Sequence, residues 1–182
     1  MKVLIIVDMQ NDFITGPLGS PEAAALVPRA VSKIRGFQGK VLVTLDTHGD
    51  NYLQTQEGRN LPVVHCVKDT EGWNIHPGIL EALRGSGANF SERDGVFMKP
   101  AFGSVSLAEA LLQIDAANKI DEIELAGICT DICVISNALI IKAVLPDVLI
   151  TVDAACCAGV TPQSHLNALS AMKACQIRVI NE

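Results

Sequence analysis

Six short apolar runs rich in Val, Ile and Leu, at residues 3–7, 41–45, 96–98, 123–126, 148–152 and 177–180, constrain the fold of this 182-residue chain more than any other feature. Most are continuously apolar rather than alternating, the pattern of strands buried on both faces of a parallel sheet. Helical patterning fills the gaps between them. Val27-Pro28 followed by Val31 and Ile34 predicts a helix with proline in its first turn. Ser106 with Glu109 predicts a capping box ahead of Leu107, Leu111 and Ile114. A long apolar helix is expected from Cys133 to Leu145, halted before Pro146. A short helix should cover residues 77–84, and a last one should open at Thr161-Pro162 and run toward Cys175. Strands alternating with helices predict a three-layer αβα sandwich: one Rossmann-like α/β domain over residues 1–182, with a single six-stranded, mainly parallel sheet.

Composition removes several function classes. Fourteen basic against twenty acidic residues give a formal charge of −6, so there is no general attraction to nucleic acid or to an anionic membrane. The most apolar stretch, residues 134–145, is interrupted by Ser136, Asn137 and Lys142 and falls short of the roughly 18 apolar residues of a membrane span. Residues 1–7 meet Asp8 too early to serve as a signal peptide's apolar region. Six cysteines in such a chain are expected as reduced thiols in the cytoplasm: buried, metal-bound or catalytic. No organic cofactor is expected; a flavodoxin-like carrier needs a phosphate loop after strand one, where Gln10-Asn11-Asp12 stands.

In parallel α/β sheets, ligands sit beyond the carboxyl ends of the strands, near the point where strand order reverses. Asp8 ends the first apolar run, Asp46 the second, Lys99 the third and Asp153 the fifth, and Gly127 to Cys133 follows the fourth. Cys133 should lie near a helix N-terminus, where free N–H groups and the macrodipole favour a thiolate. An ammonium at Lys99 would lower the thiol pKa further, and Asp8 could take the thiol proton and return one to a leaving group. Each residue also has a plain reading. A cysteine in an apolar helix is usually a small buried hydrophobe, an aspartate after a strand a turn residue, and a lysine part of a solvated face. Cys129 and Cys133 could share a metal, but no second pair accompanies them. Spacing alone leaves these alternatives open.

The segment from residue 46 to 77 is polar and carries His48, Glu57, His65 and His76; a loop that long in a compact domain usually binds or covers something. In an extended stretch, residues two apart face one side, so Asp46 and His48 can converge on one ion. Two imidazoles with carboxylates suit zinc, iron or manganese. Asp-x-His pairs also arise by chance, and here too the residues alone do not decide.

Three ordered motifs do. Val7-Asp8-Met9-Gln10-Asn11-Asp12-Phe13, Lys99-Pro100-Ala101-Phe102 and Gly127-Ile128-Cys129-Thr130-Asp131-Ile132-Cys133 together resemble the isochorismatase-like cysteine hydrolases, which include the nicotinamidases, and the order matches over essentially the whole chain. That resemblance implies Asp8 as general base, Lys99 as its electrostatic partner and Cys133 as nucleophile. It implies a cis peptide between Ile128 and Cys129 and an oxyanion hole made by the N–H groups of Cys129 and Cys133; a small residue is usual at position 129. Similarity to the nicotinamidase branch implies a divalent metal, zinc first with manganese or iron as alternatives, on Asp46, His48 and His65, with Glu57 as a further ligand. The implied activity is hydrolysis of a small amide to acid and ammonia through a thioester, with nicotinamide the first-choice substrate, in a homo-oligomer. Phe13 and Phe102, inside matched motifs, are the expected pocket walls. The tryptophan and prolines usual around the histidines are replaced by Thr47, Gly49 and Leu61-Pro62-Val63-Val64, so another amide, a ureide or an isochorismate-like compound stays open as substrate, as does a non-catalytic metal-binding relative.

Other residues receive structural assignments. Gln10 and Asp12 should bond to backbone, Thr130 and Asp131 should cap the helix carrying Cys133, and His76 should cap a helix or lie on the surface. His165 should be solvated, and Cys66, Cys156, Cys157 and Cys175 should pack. Trp73 is either a pocket wall or loop packing.

Overall fold

Every apolar run becomes a strand of one parallel sheet. The structure, a computed structural model, describes residues 1–85 and 90–182. Its strands are β1 (Lys2–Val7), β2 (Lys40–Asp46), β3 (Val96–Lys99), β4 (Glu122–Ile128), β5 (Leu149–Ala158) and β6 (Arg178–Ile180), in the order β3-β2-β1-β4-β5-β6. All five neighbour pairings are parallel. Strand β1 is central because both of its faces are covered. Val3, Ile5 and Val7 pack with Leu107, Leu111, Val134, Ile141 and Leu169 on one side. Leu4 and Ile6 pack with Leu26, Ala30, Ile34, Ile79 and Leu83 on the other. Alternate residues of one strand therefore feed two cores, which is why its sequence shows no polar alternation.

The helices are α1 (Asn11–Ile14), α2 (Pro21–Gly36), α3 (Gln56–Asn60), α4 (Pro77–Gly85), α5 (Val105–Ala117), α6 (Ile135–Val144) and α7 (Pro162–Ala174). Three start elsewhere than the sequence predicts. Helix α2 opens seven residues before Pro28, because Ser20 accepts a bond from Ala23 N–H and Pro21 fills the first position; Pro28 lies inside the helix. Ser104, not Ser106, caps α5 by accepting from Leu107 N–H. Cys133 does not open an α-helix: it lies in a π-helical turn, Thr130–Val134, that precedes α6. The last helix begins as expected, Thr161 and Ser164 forming a reciprocal cap. Strand β5 runs to Ala158, so Asp153 is internal to it rather than at its end. Among the described residues, no helix is long and apolar enough to cross a membrane.

The sheet order places the reversal between β1 and β4. From β1 the chain steps outward to β2 and β3, then crosses back to β4 on the opposite flank of β1. Register brings the carboxyl ends level: Val7 lies opposite both Thr44 and Gly127, and Asp46 lies opposite Lys99.

Candidate active site

That register gathers the motif residues. Asp8 leaves β1 with φ of 49° and donates its N–H to Thr44. Gly127, at φ of 136°, lets β4 press against this point; a Cβ there would lie 2.1 Å from the Val7 carbonyl oxygen. The next peptide, Ile128–Cys129, is cis, and the π turn carrying Cys133 follows at once. The Lys99 Nζ then lies 2.6 Å from Asp8 Oδ2, 3.4 Å from Cys133 Sγ and 3.2 Å from Asp46 Oδ1. Asp8, Lys99 and Cys133 are all buried. Thr44, the one hydroxyl in the apolar core of β2, donates to Asp8 Oδ1 at 2.7 Å.

Burial dominates the electrostatics of these groups. Desolvation raises the Asp8 pKa even against the neighbouring ammonium. Lys99 keeps its proton firmly, since Asp8, Cys133 and Asp46 together outweigh its own desolvation. The Cys133 thiol is pushed well above the ordinary cysteine range, first by burial and then by Asp8, with Lys99 pulling the other way. A resting thiolate, the sequence expectation, is thereby corrected. The lysine's charge is already engaged by two carboxylates, and the low-dielectric surroundings penalise a third anion.

Four further side chains meet beside Lys99. Asp46, His48, Glu57 and His65 offer ligand atoms that all lie within 4.8 Å of one another. His48 Nε2 is 2.9 Å from Asp46 Oδ2 and 3.6 Å from Glu57 Oε1; His65 Nε2 is 3.4 Å and 3.8 Å from the same two atoms. Backbone bonds bring the distant ligands together: His48 N–H donates to the Cys66 carbonyl, and Lys68 N–H donates to that of His48. Gln10 donates to the carbonyls of Asp46 and Trp73 and accepts from Asp46 N–H, so β1 fixes the first ligand. Asp12 accepts from Cys66 N–H and fixes the segment of the last. Both residues bond to backbone, as expected.

The set has the chemistry of a divalent-cation site. His65 Nδ1 contacts the Val63 carbonyl at 2.7 Å, and since a carbonyl only accepts, Nδ1 carries the proton and Nε2 is directed at the carboxylates. Burial opposes charge on His65, yet the bonds to Asp46 and Val63 outweigh it and raise its pKa. Asp46 is held below the ordinary carboxylate range; burial works against this, and hydrogen bonds from both imidazoles prevail. Tyr52, missed in the sequence, is buried beside both imidazoles, its ring centroid 4.6 Å from that of His48 and 4.9 Å from that of His65, and its hydroxyl donates to the Leu61 carbonyl. An aromatic in mid-loop between two candidate ligands was the available signal.

A cavity of about 460 Å³ opens over both groups. Asp46, Glu57 and His65 form one part of its lining and Cys129 and Cys133 another, with Phe13 and Phe102 among the walls. Among the described residues, no lysine or arginine lines it. Trp73 is not part of it; its indole N–H donates to Thr47 and packs the loop. Four minor assignments differ from the sequence reading. Thr130 and Asp131 make no cap: Thr130 bonds to His165, which is therefore not simply solvated, and Asp131 accepts from Val160 N–H. Cys175 is exposed, whereas Cys66, Cys156 and Cys157 are buried. His76 accepts from Gly78 N–H at the start of α4.

Comparison with known proteins agrees with the motifs. Residues 2–182 match the isochorismatase domain family. A nicotinamidase/pyrazinamidase from Mycobacterium tuberculosis is 29% identical over an alignment 196 positions long, covering 99% of this chain and 98% of that protein. A crystal structure of a Pyrococcus horikoshii pyrazinamidase in complex with zinc superposes with a TM-score of 0.74 at 24% identity, covering 100% of this chain and 99% of that one. A Leishmania infantum protein solved in complex with nicotinate superposes with a TM-score of 0.76 at 21% identity, covering 100% and 92%.

Proposed function

Because the chain belongs to the isochorismatase family, we propose that it is a metal-dependent cysteine amidohydrolase that cleaves a small neutral amide to acid and ammonia, with nicotinamide the first substrate to try. The observation that carries this reading is a buried lysine ammonium in contact with both an aspartate and the thiol of Cys133, a residue that lines the cavity. Asp8 takes the Cys133 proton as the sulfur attacks the amide carbon, and Lys99 stabilises the sulfur's developing charge. A carboxylate whose pKa is raised by burial is a better acceptor for a thiol proton than an ordinary one. The carbonyl oxygen becomes an oxyanion, which the N–H groups of Cys129 and Cys133 stabilise. The tetrahedral adduct collapses, the C–N bond breaks, and ammonia leaves with the proton held on Asp8. Water then attacks the thioester while Asp8 takes its proton; collapse frees the acid and returns the sulfur to Cys133, which recovers the proton.

Asp46, His48, Glu57 and His65 would hold the divalent ion, two imidazoles and two carboxylates suiting zinc, with manganese or iron as alternatives. When bound, that ion supplies Lewis acidity and a fixed positive charge for orienting a ring nitrogen or water beside the thiol. The relatives point the same way: one is named a nicotinamidase/pyrazinamidase, one carries zinc and one binds nicotinate. An ammonia-release screen over nicotinamide, pyrazinamide, small ureides and carboxylate-bearing amides, with metal content measured, tests the reading. Turnover of neutral amides with about one metal per chain supports it; turnover confined to anionic compounds, or full amidase activity without metal, overturns it.

A further inference from the structure

The π turn that carries Cys129 and Cys133 is held from outside by a residue that the mechanism above does not use. Thr130, which directly follows Cys129, is fully buried, and its hydroxyl lies 2.8 Å from Nδ1 of His165 in the first turn of α7. One residue on, Asp131 Oδ1 accepts from Val160 N–H at 3.1 Å. The connection from β5 to α7, which contains Val160 and leads into the turn carrying His165, also contributes Gly159 and Val160 to the wall of the cavity. It is folded closely onto the helix: a Cβ on Gly159 would lie 2.9 Å from His165 N and 3.0 Å from its Cα.

Such support has a physical reason. Within the turn, the Cys129 carbonyl accepts from both Ile132 and Val134, and Ile135 N–H reaches the Thr130 carbonyl five residues back. A π turn is wider than an α turn and forms mostly as a single turn at functional sites, so its position must be specified by other contacts. Breaking a bond to a buried hydroxyl leaves a desolvated polar group, which makes the Thr130–His165 contact strongly preferred over alternatives. Burial lowers the His165 pKa, so a neutral imidazole makes this bond at neutral pH.

We infer that His165 is a positioning residue: through Nδ1 it fixes Thr130, and with it the Cys129 and Cys133 amides and the reactive sulfur, relative to the cavity wall at residues 159–160. The inference rests on the amidohydrolase reading for its catalytic consequence, though not for its structural one. Small displacements of reacting groups cost rate rather than substrate affinity.

The test exploits which nitrogen is used. Asparagine places an amide atom where Nδ1 of histidine lies, whereas glutamine reaches the position of Nε2. His165→Ala, His165→Gln and His165→Asn are compared by kcat and KM on the best wild-type amide, by thermal midpoint, and by amide hydrogen exchange of residues 129–135. Alanine and glutamine should lower kcat about tenfold with KM within about twofold, and should speed exchange in the turn. Asparagine should restore both to near wild type, although glutamine is the better helix former. Glutamine performing as well as asparagine, or alanine leaving kcat and exchange unchanged, overturns the inference. If the wild type hydrolyses no amide, the amidohydrolase reading fails alone, and the exchange order of the three variants still decides the role of His165.

Discussion

Among the described residues two lysines each lie between two carboxylates, the buried Lys99 and the half-buried Lys33, and Lys99 also contacts a thiol whose residue lines a cavity. Lys99 lies 2.6 Å from Asp8 and 3.2 Å from Asp46; Lys33 of α2 lies 2.5 Å from Glu124 and 2.6 Å from Asp153. Even a cysteine is common to both, since Cys156 hydrogen-bonds to Asp153. What differs is location. Asp8, Asp46 and Lys99 stand at the carboxyl ends of three neighbouring strands beside the reversal of sheet order, and Cys133, whose sulfur is 3.4 Å from Lys99, lines a cavity. Glu124 and Asp153 are internal to β4 and β5, with α2 laid over them. The same ion composition thus fastens a helix to a sheet in one place and, in the other, lies against the thiol that we propose as the nucleophile. Residue types are not enough to make a site; strand ends and access are needed as well.

The sharpest way to break this contrast is to disable each cluster in turn. Cys133→Ala should lower kcat for amide hydrolysis by about ten thousandfold while the thermal midpoint stays close to wild type. Lys33→Met, corrected for folded fraction, should leave kcat within about twofold. Comparable losses in both variants would erase the distinction. Next in size, His65→Ala should reduce bound metal, measured by emission spectroscopy after gel filtration, from about one ion per chain to a small fraction, and should lower kcat/KM by about a hundredfold. Wild-type metal content in that variant would remove His65 from the ligand set.

How much of this was legible beforehand differs between the two clusters. The strands were, because runs buried on both faces carry an unbroken apolar pattern, and the order of the three motifs pointed to Asp8, Lys99 and Cys133. Helix starts were less so: Ser20 and Ser104 cap through local geometry that their neighbours in sequence imitate, as Ser106 does for α5. The Lys33–Glu124–Asp153 group was invisible, since it joins a helix to two strands more than 90 positions away, and no local pattern records that pairing. The same holds for Thr130 and His165, 35 positions apart. The protonation state of Cys133 was read wrongly for a related reason. Sequence shows which charges can be near a thiol, whereas burial, the largest influence here, is a property of the assembled fold.

Protonation therefore separates the clusters by pH as well. Asp8 must be ionised to accept the thiol proton, and its raised pKa places the acid limb of kcat/KM above the ordinary aspartate value of about 3.9. With the Cys133 thiol raised too, iodoacetamide should modify the exposed Cys175 first at neutral pH, and modification of Cys133 should keep accelerating above the ordinary thiol pKa of about 8.5. Rapid alkylation of Cys133 near pH 6 would show a standing thiolate instead.

The smallest effect concerns Lys33. Removing a cation from between two largely buried carboxylates leaves them mutually repelling, so Lys33→Met should cost about 3 kcal/mol in urea unfolding at pH 7. The sign of its pH dependence follows from the two shifts. Burial opposes ionisation of Asp153, but the bonds from Lys33 and Asn181 prevail and depress its pKa, so its contribution is present above the ordinary aspartate value and is lost as pH falls through the depressed one. Burial likewise opposes charge on Lys33, and the two carboxylates prevail and raise its pKa, so its contribution is complete below the ordinary lysine value and is lost only as pH rises through the raised one. Between roughly pH 5 and 10 the wild-type advantage over Lys33→Met should therefore be flat, and below about pH 4 it should shrink as Asp153 protonates. An advantage that grows on acidification would mean that the lysine acts through its packed methylene chain and that the ion pairs contribute nothing.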